Sequence, residues 1–135
     1  DVVRSRGLGD VYKRQGDESE DICKQFNQPF WKTIRIKNSQ SLESINNFAS
    51  ADALLLETYV DDSYGGTGKE FDWTLLRNIQ LCKKFVLAGG INSKNIKEAI
   101  SLNPWCIDVN SGVESSLASK DKSLMAQIIK NFKNE

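Results

Sequence analysis

The chain has 135 residues, 39% hydrophobic and 27% charged, with a mean hydropathy of -0.44 and eighteen basic residues balancing eighteen acidic ones. That describes one soluble domain, expected in the cytoplasm: no run of 18 apolar residues offers a membrane span, and no charged segment leads into an apolar one as a secretory signal would. The balanced charge gives no basic stripe for nucleic acid, and the absence of histidine removes Ser-His-Asp and Cys-His nucleophiles, imidazole acid–base chemistry and His-ligated zinc.

Residues 1–15, DVVRSRGLGDVYKRQ, follow neither a helical nor an alternating pattern and carry Arg4, Arg6, Lys13 and Arg14. They resemble translated linker and are expected to be a non-native or disordered leader, with the domain running over 16–135. From Gly16 onward fourteen basic residues face sixteen acidic ones. Ile22 and Phe26 predict a short amphipathic helix over about 18–27, closed by Asn27 and Pro29. FWKTIRI at 30–36, rich in aromatic and β-branched residues, reads as a strand. Leu42, Ile45 and Phe48 recur at helical spacing, and the apolar run Ala53 to Leu56 suits a strand buried on both faces. A glycine-rich stretch, Thr58 to Glu70, precedes Asp72 as N-cap of a helix with Leu75, Leu76, Ile79 and Cys82. Phe85 to Ala88 is a third strand, stopping at Gly89-Gly90; Asn92-Ser93 can cap a helix carrying Ile96, Ala99 and Ile100. Cys106 to Val109 is a fourth strand, stopping at Asn110-Ser111-Gly112, and Leu124, Ile128 and Phe132 mark a last helix.

Four strand-then-helix units mean a parallel sheet with helical crossovers. Periodicity allows an open flavodoxin-like sheet or an arc of a (β/α)8 barrel, and length favours the open sheet. In either, ligands bind beyond the carboxyl ends of the strands, where Lys37, Glu57, Gly89-Gly90, Asp108 and Ser111-Gly112 collect. Gly65 to Lys69 fails as a Walker A loop, because Ser63 and Glu70 stand where glycine and Ser or Thr are required. Gly89-Gly90 and Ser111-Gly112, on successive units, are expected to converge on one phosphate, since a backbone without Cβ lets its amides approach an anion. Glu57 follows three leucines and reads either as a general acid at an apolar rim or as a rim glutamate paired with Lys69 or Lys37. Asp108, inside an apolar strand, is expected to contact ligand. Cys23, Cys82 and Cys106 form no CxxC pair and read as buried thiols; Trp31, Trp73 and Trp105 read as core or helix-packing residues.

ADALLLETY, GGTGKEFDWTLL, FVLAGGINSKNIKEAI and IDVNSGVES, in that order, resemble the carboxyl-terminal part of the phosphoribosylanthranilate isomerase family, from about Gly16 to Phe132. The resemblance implies the carboxyl-terminal half of a (β/α)8 TIM barrel: one helix, then four parallel βα units standing for strands five to eight. It implies an Amadori rearrangement of N-(5-phosphoribosyl)anthranilate in tryptophan biosynthesis, with a phosphorylated small-molecule substrate and no metal or cofactor. It matches Glu57 to the family's aspartate acid, Gly89, Gly90, Ser111 and Gly112 to its phosphate site, and sets Asp108 near the ribose hydroxyls; Asn110 stands where many members have serine. The family's catalytic cysteine, at the end of the first strand, matches none of Cys23, Cys82 and Cys106. The chain is therefore expected to be an inactive fragment that self-associates through open sheet edges; the alternative is a non-catalytic phosphate-binding half-barrel module.

Overall fold

A computed structural model of the chain describes residues 12–59, 72–77, 81 and 83–133. Five parallel strands form one sheet in chain order: β1 (Tyr12–Arg14), β2 (Phe30–Ile36), β3 (Ala53–Thr58), β4 (Phe85–Leu87) and β5 (Cys106–Ile107). Helices α1 (Glu20–Lys24), α2 (Thr74–Arg77), α3 (Ile96–Ser101) and α4 (Lys122–Lys133) alternate with them, as the change of period along the sequence predicts. A 3-10 helix, Ser39–Asn47, takes the place of an α-helix between β2 and β3. Its apolar residues are three apart, which is one 3-10 turn, so Leu42, Ile45 and Phe48 all reach the core.

Alternation along the strands gives the sheet two buried faces. Phe30, Ile34 and Ile36 of β2, Leu54 and Leu56 of β3 and Leu87 of β4 pack under Cys23, Leu42, Trp73, Leu76, Ile96 and Ala99. Leu55, Val86 and Ala88 fill the opposite face, with Trp31 against them. That face is strongly curled. Lys13 of β1 reaches Asp108, just past β5, with Nζ 3.1 Å from Oδ2. In a flat sheet those edge strands would lie about 19 Å apart. Trp31 and Trp105 also meet across it, edge to face at 5.7 Å between ring centroids.

Several expectations change. Tyr12–Arg14, set aside with the leader, is an edge strand whose three residues pair in register with Phe30, Trp31 and Lys32. It shows no apolar alternation because its long side chains find individual partners: Lys13 on Asp108, and the Arg14 guanidinium over the rings of Tyr12 and Phe26. The fold thus begins at Tyr12 or earlier; residues 1–11 lie outside the described residues. The sheet has five strands rather than four. On α1 the buried residue is Cys23, while Ile22 and Phe26 are exposed. Trp73 is core, but Trp105 is 54% exposed, and Cys106 is exposed rather than buried. A hairpin, β6 (Glu114–Ser116) and β7 (Ser119–Lys120), precedes α4 where no strand is expected, its polar sequence giving no alternation. Cys82, Ile79 and the stretch Gly65 to Lys69 lie outside the described residues.

A buried charge sits on the helix-facing side of β2. Lys32, 3% exposed, donates to the Gly16 carbonyl at 2.6 Å and to Glu18 Oε2 at 2.8 Å, and its ammonium lies over the Phe48 ring. Burial pushes the Glu18 carboxyl up, but the Lys32 hydrogen bond and charge outweigh it and hold Glu18 below the usual carboxylate range.

Candidate active site

The carboxyl ends of β3, β4 and β5 bring the expected residues to one end of the sheet. Glu57 is half-buried near the end of β3, opposite Arg35 of β2 in register. Neighbouring residues in register share a face, so the carboxylate and the guanidinium point to the curled side of the sheet. Lys37, offered above as a partner for Glu57, instead carries its ammonium over the Tyr59 ring at 5.1 Å. Lys69 lies outside the described residues.

Gly89 and Gly90 follow β4 in the left-handed region, at φ 83 and 71. At Gly89 a Cβ would also lie 2.7 Å from Thr58 Oγ1 and 2.9 Å from Thr58 N, so conformation and space both require glycine. The Gly90 carbonyl accepts two side-chain amides, Asn92 Nδ2 at 3.0 Å and Asn95 Nδ2 at 3.1 Å. Asn95 Oδ1 in turn accepts the Asn92 N–H at 2.8 Å. The sequence offers Asn92 as a cap; its Oδ1 accepts the Lys94 N–H, and α3 itself begins after Asn95. No motif reading points to Asn95, although the repeated asparagine of INSKN, just past the glycine pair, is the signal for such a clasp.

Ser111 and Gly112 open a short 3-10 turn, Ser111–Val113. A Cβ on Gly112 would lie 1.8 Å from the Ile91 carbonyl oxygen and 3.0 Å from Asn92 Cα. Backbone therefore touches backbone, and the turn after β5 rests directly on the turn after β4. Among the described residues no acceptor takes the amide hydrogens of Gly89, Gly90, Ser111 or Gly112. Such donors seek a partner. Two turns in backbone contact, whose N–H groups have no acceptor among the described residues, offer donors of the kind an oxyanion takes.

Asp108 stands beside this pair of turns, its N–H donating to the Leu87 carbonyl at 2.9 Å. Its carboxylate meets Lys13 with both side chains more than a third exposed, so the cost expected of a carboxylate in an apolar strand is relieved by water as well as by the ion pair. The Cys23 thiol lies away from this end, on the helix-facing side, and burial pushes its pKa up.

Comparison with known proteins adds to this geometry. The model of the N-(5'phosphoribosyl)anthranilate (PRA) isomerase family matches residues 10–131. The chain belongs to the PRA isomerase family. That match starts before Gly16, in agreement with the place of Tyr12–Arg14 in the sheet. The PRA isomerase of Legionella pneumophila (strain Corby) is 44% identical over 117 residues, 85% of this chain and 56% of that protein. The chain thus spans about half the length of the curated relatives it matches. The crystal structure of PRA isomerase from Thermotoga maritima superposes with a TM-score of 0.79 at 29% identity, covering 93% of this chain and 62% of that one. A PRA isomerase crystallised with reduced 1-(O-carboxyphenylamino)-1-deoxyribulose 5-phosphate gives 0.72 at 26% identity, over 93% of this chain and 60% of that one. The α/β architecture with its parallel five-stranded sheet is that of these isomerases.

Proposed function

We propose that this chain carries the phosphate anchor and the acid of PRA isomerisation, and that its sheet is the carboxyl-terminal part of a (β/α)8 barrel. In that reading β2 to β5 take the places of strands five to eight, and β1 that of strand four. Coverage of 56% to 62% of the relatives supports the partial barrel, as does the curl that brings Lys13 to Asp108.

The observation that carries the functional reading is the contact of Gly112 with the Ile91 carbonyl, which joins two turns whose amides have no acceptor among the described residues. The sugar phosphate docks there, held by the N–H groups of Gly89, Gly90, Ser111 and Gly112. Asp108 exchanges Lys13 for the ribose hydroxyls. Glu57 gives its proton to the ribose ring oxygen, and a base removes the C2′ proton of the resulting iminium. Glutamate in place of the family's aspartate adds one methylene; a displacement of about 1 Å at the reacting atom costs on the order of 100-fold in rate. The base is the family's cysteine, which none of the cysteines of this chain supplies, so this chain by itself turns over no substrate.

Titration of the 135-residue chain with the reduced deoxyribulose phosphate analogue, followed through its glycine amide resonances, tests the anchor. Saturable shifts at Gly89, Gly90 and Gly112 are expected, and no binding at millimolar analogue overturns it. Isomerisation of N-(5-phosphoribosyl)anthranilate above background by the same chain would overturn the inactivity. In a completed barrel Glu57→Asp distinguishes the roles of that residue: a rate gain of about 100-fold fits a misplaced acid, and no change shows that glutamate already serves.

A further inference from the structure

The hairpin after the second glycine turn brings back a lysine that no motif singles out. Lys120 on β7 donates to the Asn110 carbonyl at 2.8 Å, to Asn110 Oδ1, and to Glu114 Oε1 at 2.7 Å. An ammonium has three N–H donors, and all three are used, so Lys120 has none left for an anion. Its effect must pass through Asn110. The chain has no cis peptide bond among the described residues, so the Asn110 carbonyl and the Ser111 N–H share one trans plane and point in opposite directions. Whatever holds that carbonyl aims that N–H. Glu114 completes the arrangement: one carboxylate oxygen accepts from Lys120 and the other accepts the Ala118 N–H at 3.2 Å, at the tip of the hairpin. The turn after β4 is built alike, with the Gly90 carbonyl held by Asn92 and Asn95.

We infer that Lys120, seated by Glu114, is a positioning residue for the phosphate turn: by clamping the Asn110 carbonyl it turns the Ser111 N–H toward the anion. This rests on the phosphate-anchor reading and adds to it the element that orients the donor. The pair brings no net charge to the turn, so its contribution is geometric.

Calorimetric titration of the 135-residue chain with inorganic phosphate, beside Lys120→Met, Lys120→Met/Glu114→Gln and Lys120→Arg, separates the possibilities. Lys120→Met is expected to weaken phosphate about tenfold, the scale of one charge-assisted hydrogen bond. The double variant should stay equally weak, since neutralising Glu114 does not restore the clamp. Lys120→Arg, which keeps a cationic donor, should bind within about twofold of the parent. Recovery of affinity in the double variant would assign the loss to the bare Glu114 charge and overturn the inference, as would unchanged affinity in Lys120→Met. If the parent chain binds no phosphate, the anchor reading fails instead. The Ser111 amide resonance in phosphate-free buffer gives a readout that does not depend on binding: it should move in Lys120→Met and return in Lys120→Arg, and an unmoved resonance overturns the clamp. Circular dichroism identifies any variant that loses the fold, and the Lys120→Arg comparison then decides: affinity and Ser111 shift near the parent's support the clamp, and a loss of both overturns it.

Discussion

At Gly112 a single missing methyl group decides whether two turns can meet. An added Cβ would fall 1.8 Å from the Ile91 oxygen, and both partners are backbone, so neither can swing aside. Gly112→Ala should cost about 2 kcal/mol by urea denaturation, the scale of overpacking, and should weaken phosphate in the same titration. The buried Lys32 predicts an asymmetry. Its side chain is 4% exposed and that of Glu18 31%, so removing the carboxylate strands a charge in the core, whereas removing the ammonium leaves a carboxylate that water can reach. Glu18→Ala is therefore expected to cost about 3 kcal/mol and Lys32→Met about 1 kcal/mol, again from urea midpoints. Glu20 supplies a pH dependence. Its Oε1 accepts the Ser50 N–H at 2.6 Å and the Ser50 hydroxyl at 2.7 Å, and Lys24 bonds its other oxygen. These bonds, Ser50 first, lower its pKa from 4.5 to about 2. The native state binds fewer protons than the unfolded chain between those values, so the stabilisation is complete above pH 4.5 and is lost as pH falls to about 2. Glu20→Gln mimics the neutral acid; its deficit in urea midpoint should be present at pH 7 and close toward pH 2.

Elements were legible where burial follows a repeat. The bounds expected for β2 coincide with Phe30–Ile36, and the leucines of β3 sit in the sheet as their continuous apolar run requires. Elements held by specific polar contacts were not legible. β1 carries tyrosine, lysine and arginine and finds a partner far along the chain, Asp108 for Lys13, while β6 and β7 carry mostly serine and lysine and pair as a hairpin held by Lys120 on Glu114. Strand β1 also supplies the Tyr12 N–H to Pro29, and Gln15 just past it offers a carbonyl to Arg35 Nη2 at 2.7 Å. A chain starting at Gly16 loses these bonds and exposes the edge of β2. It is expected to be less stable by about 2 kcal/mol, measured by urea denaturation beside the 135-residue chain.

For the molecule as a whole, large apolar side chains are exposed in and beside α1 and on α4, besides Tyr59, Trp105 and Leu117. Ile22 of α1 and Phe26 just past it are 46% and 55% exposed, and Ile129 and Phe132 of α4 are 55% and 57% exposed. Strands β1 and β5 each have one side unpaired among the described residues. Exposed apolar side chains and open strand edges favour association, and barrel closure is the usual way a parallel sheet removes such edges. The 135-residue chain should therefore grow in apparent mass with concentration in multi-angle light scattering. A constant monomer mass across a hundredfold dilution series would refute this.

The sequence alone determined the alternation of strand and helix, the positions of the glycine turns and the membership of a family, because apolar runs, Gly-Gly pairs and ordered motifs are local patterns. Only the tertiary structure decided that Gly112 rests on Ile91, that Lys13 reaches Asp108, that Lys32 is buried and that Asn95 and Lys120 hold the turns. The Lys13 contact depends on how far the sheet curls, and the others on how the turns fold back and the neighbouring elements pack, which no local repeat encodes.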